Sequence, residues 1–146
     1  MKIEYQLKGN GWAEITLQDS NQFIEIPVSY LHDSLRDLTE SALKLRKGIK
    51  QTEVSFVDEP GEFRLVFESD NDGKVKVEVQ RYNNWPTKKQ NPDEMILQFQ
   101  TTVDEISKQV LNILRQIEKE YGEEKYLEAW INHEFPKVEY KRLQAI

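Results

Sequence analysis

Six short alternating segments, one helical stripe set among them and further helical stripes after them predict an α+β fold. The expected architecture is an antiparallel sheet of about six or seven strands packed against two or three helices, in the order β-β-β-α-β-β-β-(β)-α-α. Two observations carry this. Apolar residues recur every second position in blocks of three, and the period changes to 3–4 only at residues 31–49 and beyond 102.

In the first block, Ile3, Tyr5 and Leu7 alternate with charged or polar residues, as do Ala13, Ile15 and Leu17, and then Ile24, Ile26 and Val28. Gly9-Asn10-Gly11 and Asp19-Ser20-Asn21 separate them, so short turns join neighbouring strands into a meander. Leu31, Leu35, Leu38, Ala42, Leu45 and Ile49 then mark one helix face. Ser29 is the expected N-cap and Gly48 the residue after the C-cap.

Val54 and Phe56 open the second block, followed by Phe63, Leu65 and Phe67, then Val75, Val77 and Val79. Glu59-Pro60-Gly61-Glu62 reads as a type II turn, with glycine at the position that needs a positive φ. Asp70-Asn71-Asp72-Gly73 reads as a hairpin turn. Met95, Leu97 and Phe99 suggest a last strand. Thr102 and Glu105 have capping-box spacing ahead of a stripe at Val103, Ile106, Val110, Leu114, Ile117 and Tyr121. Gly122 ends that helix. A third is expected from about Glu124 to His133, packing through Leu127, Trp130 and Ile131. For residues 137–146, Val138 and Tyr140 alternate like a strand, whereas Pro136 suits a helix start.

The 146 residues, without an internal repeat or linker, are expected to form one domain, 1–146. Fifteen aromatics (six Phe, six Tyr, three Trp) are too many for a disordered chain. The absence of cysteine excludes disulfides, thiolate nucleophiles and Cys-based zinc sites. There is no apolar run of the roughly 20 residues a membrane helix needs, and no signal-peptide core, so a cytoplasmic location is expected.

The net charge of −6 lies in the first half. Residues 1–73 hold 14 acids and 8 bases, whereas residues 74–146 hold 12 of each. Such a surface repels phosphate backbones and suits a basic protein, so nucleic-acid binding is not expected.

Motifs for chemistry are sparse. There is no GxSxG elbow, no GxGxxG or Walker loop and no HExxH pair, and no cofactor or metal is expected. His32 beside Asp33, Arg36 and Asp37 would need a further carboxylate from elsewhere to hold a metal. Glu59 and Glu62 flank the Pro60-Gly61 turn, with Arg64 on the same strand face as Glu62. These carboxylates could perform acid–base work only if their environments split their pKa values. Arg81 to Lys89 combines Tyr82, Trp85 and Lys88 in a loop, and Tyr, Trp and Arg are the residue types that dominate binding hot spots; the favoured alternative is that Tyr82 and Trp85 fold back to cap the edge of the core. The candidate binding residues are therefore Tyr82, Trp85, Lys88, Asp33, Asp37, Glu59, Glu62 and Arg64, with no catalytic residue assigned.

Three segments, Gly11-Trp12-Ala13, Ser29-Tyr30-Leu31-His32-Asp33-Ser34-Leu35-Arg36-Asp37-Leu38 and Glu59-Pro60-Gly61-Glu62-Phe63-Arg64, resemble a set of small bacterial proteins. Those carry a Trp-Ala strand, an SYLxDxLxDL helix start and an EPGE-aromatic-Arg hairpin in this order. His32 and Leu65 depart from their pattern. The resemblance covers roughly residues 11–82 and brings no activity with it. By size, acidity and lack of cysteine the chain is also similar to immunity proteins, which neutralise a toxin domain through an acidic surface; that likeness is an analogy. Three functions follow as expectations. The first is a non-catalytic module binding a basic protein, as an immunity or antitoxin protein does. The second is a small hydrolase or isomerase with His32 or Glu62 as base. The third is a homodimeric subunit pairing through an edge strand, so that the chain is a monomer or a homodimer.

Overall fold

Ile3, Tyr5, Leu7, Ala13, Ile15, Leu17, Ile26 and Val28 all point into the core, and this shared inward phase sets the register of the first three strands. The computed structural model describes residues 1–84, 91–131 and 133–146. Strands β1 (Lys2–Gly9), β2 (Trp12–Asp19) and β3 (Gln22–Ser29) form one antiparallel sheet in sequential order. Helix α1 (Ser34–Arg46) follows. Strands β4 (Gln51–Val57), β5 (Glu62–Ser69), β6 (Lys74–Tyr82) and β7 (Glu94–Thr102) form a second antiparallel sheet, also in sequential order. Helices α2 (Val103–Glu120), α3 (Gly122–Trp130) and α4 (Lys137–Gln144) complete the described chain.

The α+β class and the element order through α3 agree with the sequence, and the ambiguous tail adds a fourth helix, α4, where two or three were expected. The seven strands divide between two sheets of three and four, because α1 intervenes between β3 and β4. Its side chains cover the free edge of β4 in place of β3. Ser34 Oγ donates to Ser55 O at 2.7 Å, Asp37 Oδ2 accepts from Ser55 N at 3.2 Å, and Ser41 Oγ donates to Glu53 O at 3.4 Å. Backbone groups that would otherwise offer a template for another strand are thus used inside the chain. The edge of β1 is treated similarly. Ile3 N donates to Gln109 Oε1 at 3.2 Å and Tyr121 Oη donates to Leu7 O at 3.3 Å.

Helix α1 begins later than Ser29, whose residue pairs with Trp12 as the last of β3. Asp33 occupies the N-cap position, and Leu31 and Ile49 fall outside the helix and are exposed. Gly48, at φ +89°, follows the C-cap as expected. Thr102 caps α2 by accepting from Glu105 N at 3.1 Å.

The Glu59–Gly61 turn differs from a type II turn. Its Glu59-Pro60 peptide is cis and the positive φ belongs to Glu59, at +48°. Gly61 is required for another reason. A Cβ there would lie 2.7 Å from Arg81 Nη2 and 2.8 Å from Asn83 O, and closer still to Tyr82 O. Close approach to the end of β6 demands the glycine.

Helix α3 buries Tyr126 and Trp130, leaving Leu127 and Ile131 exposed. The tail is helical: Tyr140 and Leu143, one turn apart, are buried, whereas Val138 faces solvent. Phe135 joins the two helices, meeting Tyr126 edge-on at 5.6 Å and Tyr140 edge-on at 5.8 Å. Among the described residues, no helix is long and apolar enough to cross a membrane.

Candidate functional site

The start of α1 and the β4–β5 hairpin bring several of the sequence candidates together. His32 Nε2 donates to Asp37 Oδ2 at 3.0 Å, on the same oxygen that accepts from Ser55 N. Asp37 thus joins a loop, a helix and a strand. The His32 pKa is raised above the usual imidazole value. The hydrogen bond to Asp37 is the largest cause; burial opposes it, and the charges of Asp37, Asp33 and Glu62 add to it.

Ser55 on β4 stands opposite Arg64 on β5, and Glu62 stands opposite Tyr82 on β6. Arg64 Nε donates to Glu62 Oε2 at 2.9 Å, and the guanidinium lies 4.4 Å from the Tyr82 ring centroid. Tyr82 is buried beneath it, and Glu62 is buried beside it. Arg81 repeats the arrangement on the adjacent position: its Nη1 donates to Asp58 Oδ2 at 2.7 Å and its guanidinium lies 4.6 Å from the Phe63 ring. Glu59 stands exposed at the turn.

Asp33 belongs to a different group. Its Oδ2 lies 3.6 Å from Arg36 Nε and 3.8 Å from His133 Nδ1, and Arg36 reaches Glu139 of α4 at 3.6 Å. Burial, partly offset by His133 and Arg36, holds the Asp33 carboxyl above its ordinary pKa. His133 Nε2 donates to Tyr30 O at 2.7 Å. These contacts fasten the C-terminal helices to α1.

The chemistry open to this arrangement is narrow. Glu62 and Asp58 are each held by an arginine and Asp37 by hydrogen bonds from His32 and Ser55 N, and Ser34 and Ser41 donate to backbone carbonyls, an arrangement that does not activate a nucleophile. Among the described residues, no three His, Asp or Glu side chains gather as metal ligands. Of the sequence candidates, Glu62, Arg64 and Tyr82 come together on β5 and β6, Asp37 joins His32 to Ser55 of β4, Asp33 pairs with Arg36 and His133, Glu59 stands exposed, and Trp85 and Lys88 lie outside the described residues.

The outward face of the first sheet was not among the candidates. It carries Trp12, Glu14, Thr16 and Gln18 on β2, with Lys2, Glu4, Gln6 and Lys8 on one side, Lys2 paired with Glu4 and Lys8 bonded to Gln6, and Phe23, Glu25 and Pro27 on the other. A signal was present: Trp12 and Phe23 occupy the polar phase of their strands, and no Lys or Arg occurs from Gly9 to Leu35.

Comparison with known proteins gives little. No family model matches, and no curated protein matches. One solved chain, from the "CdiA-CT/CdiI toxin and immunity complex from Enterobacter cloacae", is similar at 13% identity and a TM-score of 0.47, covering 77% of this chain and 99% of that one. At that level the likeness leaves function to be argued from the residues.

Proposed function

We propose that this protein is a non-catalytic binding module for a basic protein, acting as immunity and antitoxin proteins do by occupying its partner. The observation that carries this reading is how the carboxylates are distributed. Asp37 at the α1 start, and Asp58 and Glu62 at the hairpin, are consumed by bonds within the chain. Glu14 and Glu25, on an open sheet face, have no ion-pair or hydrogen-bond partner among the described residues. A catalytic carboxylate is expected in a cleft with a perturbed environment; an uncompensated acid on a flat face suits electrostatic complementarity.

The test is affinity capture of the tagged full chain from a lysate of its own source, followed by titration calorimetry with the recovered partner. One stoichiometric basic protein, bound more weakly as salt is raised, is the expected result. Recovery of no protein across several growth states sinks the reading.

A further inference from the structure

We infer that the outward face of β1–β3 is the docking surface, and that its occupant is a flat protein surface bearing lysine or arginine at its centre and apolar groups at its ends. This rests on the binding-module reading and names the surface that reading requires.

The register fixes the layout. Reading across the sheet, one row is Glu4–Thr16–Glu25 and the next is Gln6–Glu14–Pro27. Glu14 is therefore a diagonal neighbour of both Glu4 and Glu25, three acids around one threonine. Diagonal neighbours lie about 7–8 Å apart, close enough for like charges to repel one another. Glu4 is compensated by Lys2 at 2.9 Å, whereas Glu14 and Glu25 are not compensated among the described residues. Neither β2 nor β3 contains a base to offset them. A cationic partner relieves that repulsion.

Two exposed aromatics bracket the acids. Trp12 is 38% exposed at one end of the face and Phe23 is 55% exposed at the other, on the row of Gln18. Six residues along a strand separate these rows, a span of roughly 20 Å. Large aromatics on the solvent side of a strand are the anchors expected at an interface, with charge steering between them. Gln109 and Tyr121 already engage the β1 edge of this sheet, so the aromatics and acids of its outward face, and not that edge, are what it offers a partner. A second copy is a poor occupant: a two-fold contact of this face with itself sets acids against acids. Nucleic acid is repelled for the same reason.

The experiment compares three tagged chains in capture from the same lysate, with carbodiimide cross-linking of carboxylates to partner amines read by mass spectrometry. The chains are wild type, Glu14→Lys/Glu25→Lys, and a control of equal charge change on the helices, Glu118→Lys/Glu124→Lys. A milder pair, Glu14→Gln/Glu25→Gln, with its thermal midpoint measured, guards against misfolding. The expected result is cross-links from Glu14 or Glu25 to lysines of one partner, capture lowered about tenfold or more by the face variants and much less by the control. A partner retained equally by face and control variants overturns the surface while leaving the binding reading intact. No partner for wild type overturns both, and a chain dimerising through this face in light scattering overturns the assigned occupant.

Discussion

Arg64 is held between an acid and a ring: its Nε donates to Glu62 Oε2 at 2.9 Å while its guanidinium lies 4.4 Å from the centroid of Tyr82. The pairing depends on a planar cation, and that shape distinguishes arginine from lysine here. Replacing Arg64 by Met leaves the Glu62 carboxylate buried without its cation, so a loss of about 2–4 kcal/mol is expected in urea unfolding. Arg64→Lys should recover only part of it. Equal stability of wild type and Arg64→Met would show that the pair contributes nothing.

Gly61→Ala tests close approach against turn conformation. The added methyl meets the end of β6 near Asn83 O and Arg81 Nη2, so a loss of about 1–3 kcal/mol is expected, together with shifted amide resonances at residues 81–83. Gly73→Ala is the comparison, since Gly73 has open space around it and only its φ of +80° to oppose the change. If only the Gly73 variant disturbs its neighbours, backbone conformation is what matters.

The His32–Asp37 contact predicts a pH dependence. The folded-state pKa of His32 is raised, chiefly by the Asp37 hydrogen bond, so the folded chain keeps a proton that the unfolded chain releases near about 6.5. The resulting stability is fully present below that value and is lost as pH rises through the folded-state pKa. Urea midpoints should therefore fall over that window in wild type, and the fall should flatten in His32→Gln. A midpoint that rises through the same window would contradict the assignment.

Gln109 guards the β1 edge, and its Nε2 is held in turn by Glu105 Oε1 at 2.9 Å. Gln109→Ala leaves Ile3 N without its acceptor. Faster hydrogen exchange at Ile3 and a loss of about 1 kcal/mol are expected. An unchanged Ile3 exchange rate would show that the amide finds another acceptor.

Thr102→Ala removes the acceptor for Glu105 N at the start of α2, and a loss of about 1 kcal/mol is expected from thermal or urea unfolding. Thr102→Ser should behave as wild type, since it keeps the oxygen.

Much of the fold was legible because it is written in local periods. Ala13, Ile15 and Leu17 are inward because a strand has period 2, and Ile106, Val110, Leu114 and Ile117 are inward because a helix has period 3.6. The site was less legible. Tyr82 does fold back onto the core edge, but that Arg64, distant by 18 positions, lies over its ring could not be read from local spacing. Leu127 and Ile131 read as core although they are exposed, because a nine-residue helix carries too few turns to show which side is buried. Trp12 and Phe23 were passed over because a core search follows the apolar phase, and these two lie on the other phase.

The sequence by itself determined the α+β class, the element order through α3, most of the inward residues of both strand blocks, the Thr102 cap and the acidic first half, since each depends on neighbours within a few positions. Only tertiary structure decided that the strands form two sheets, that Asp37 serves the β4 edge, that Gly61 is there for β6 and that Glu14 stands between two other acids. Those depend on register and on which backbone groups need a partner, and such needs are met by residues far away in the chain.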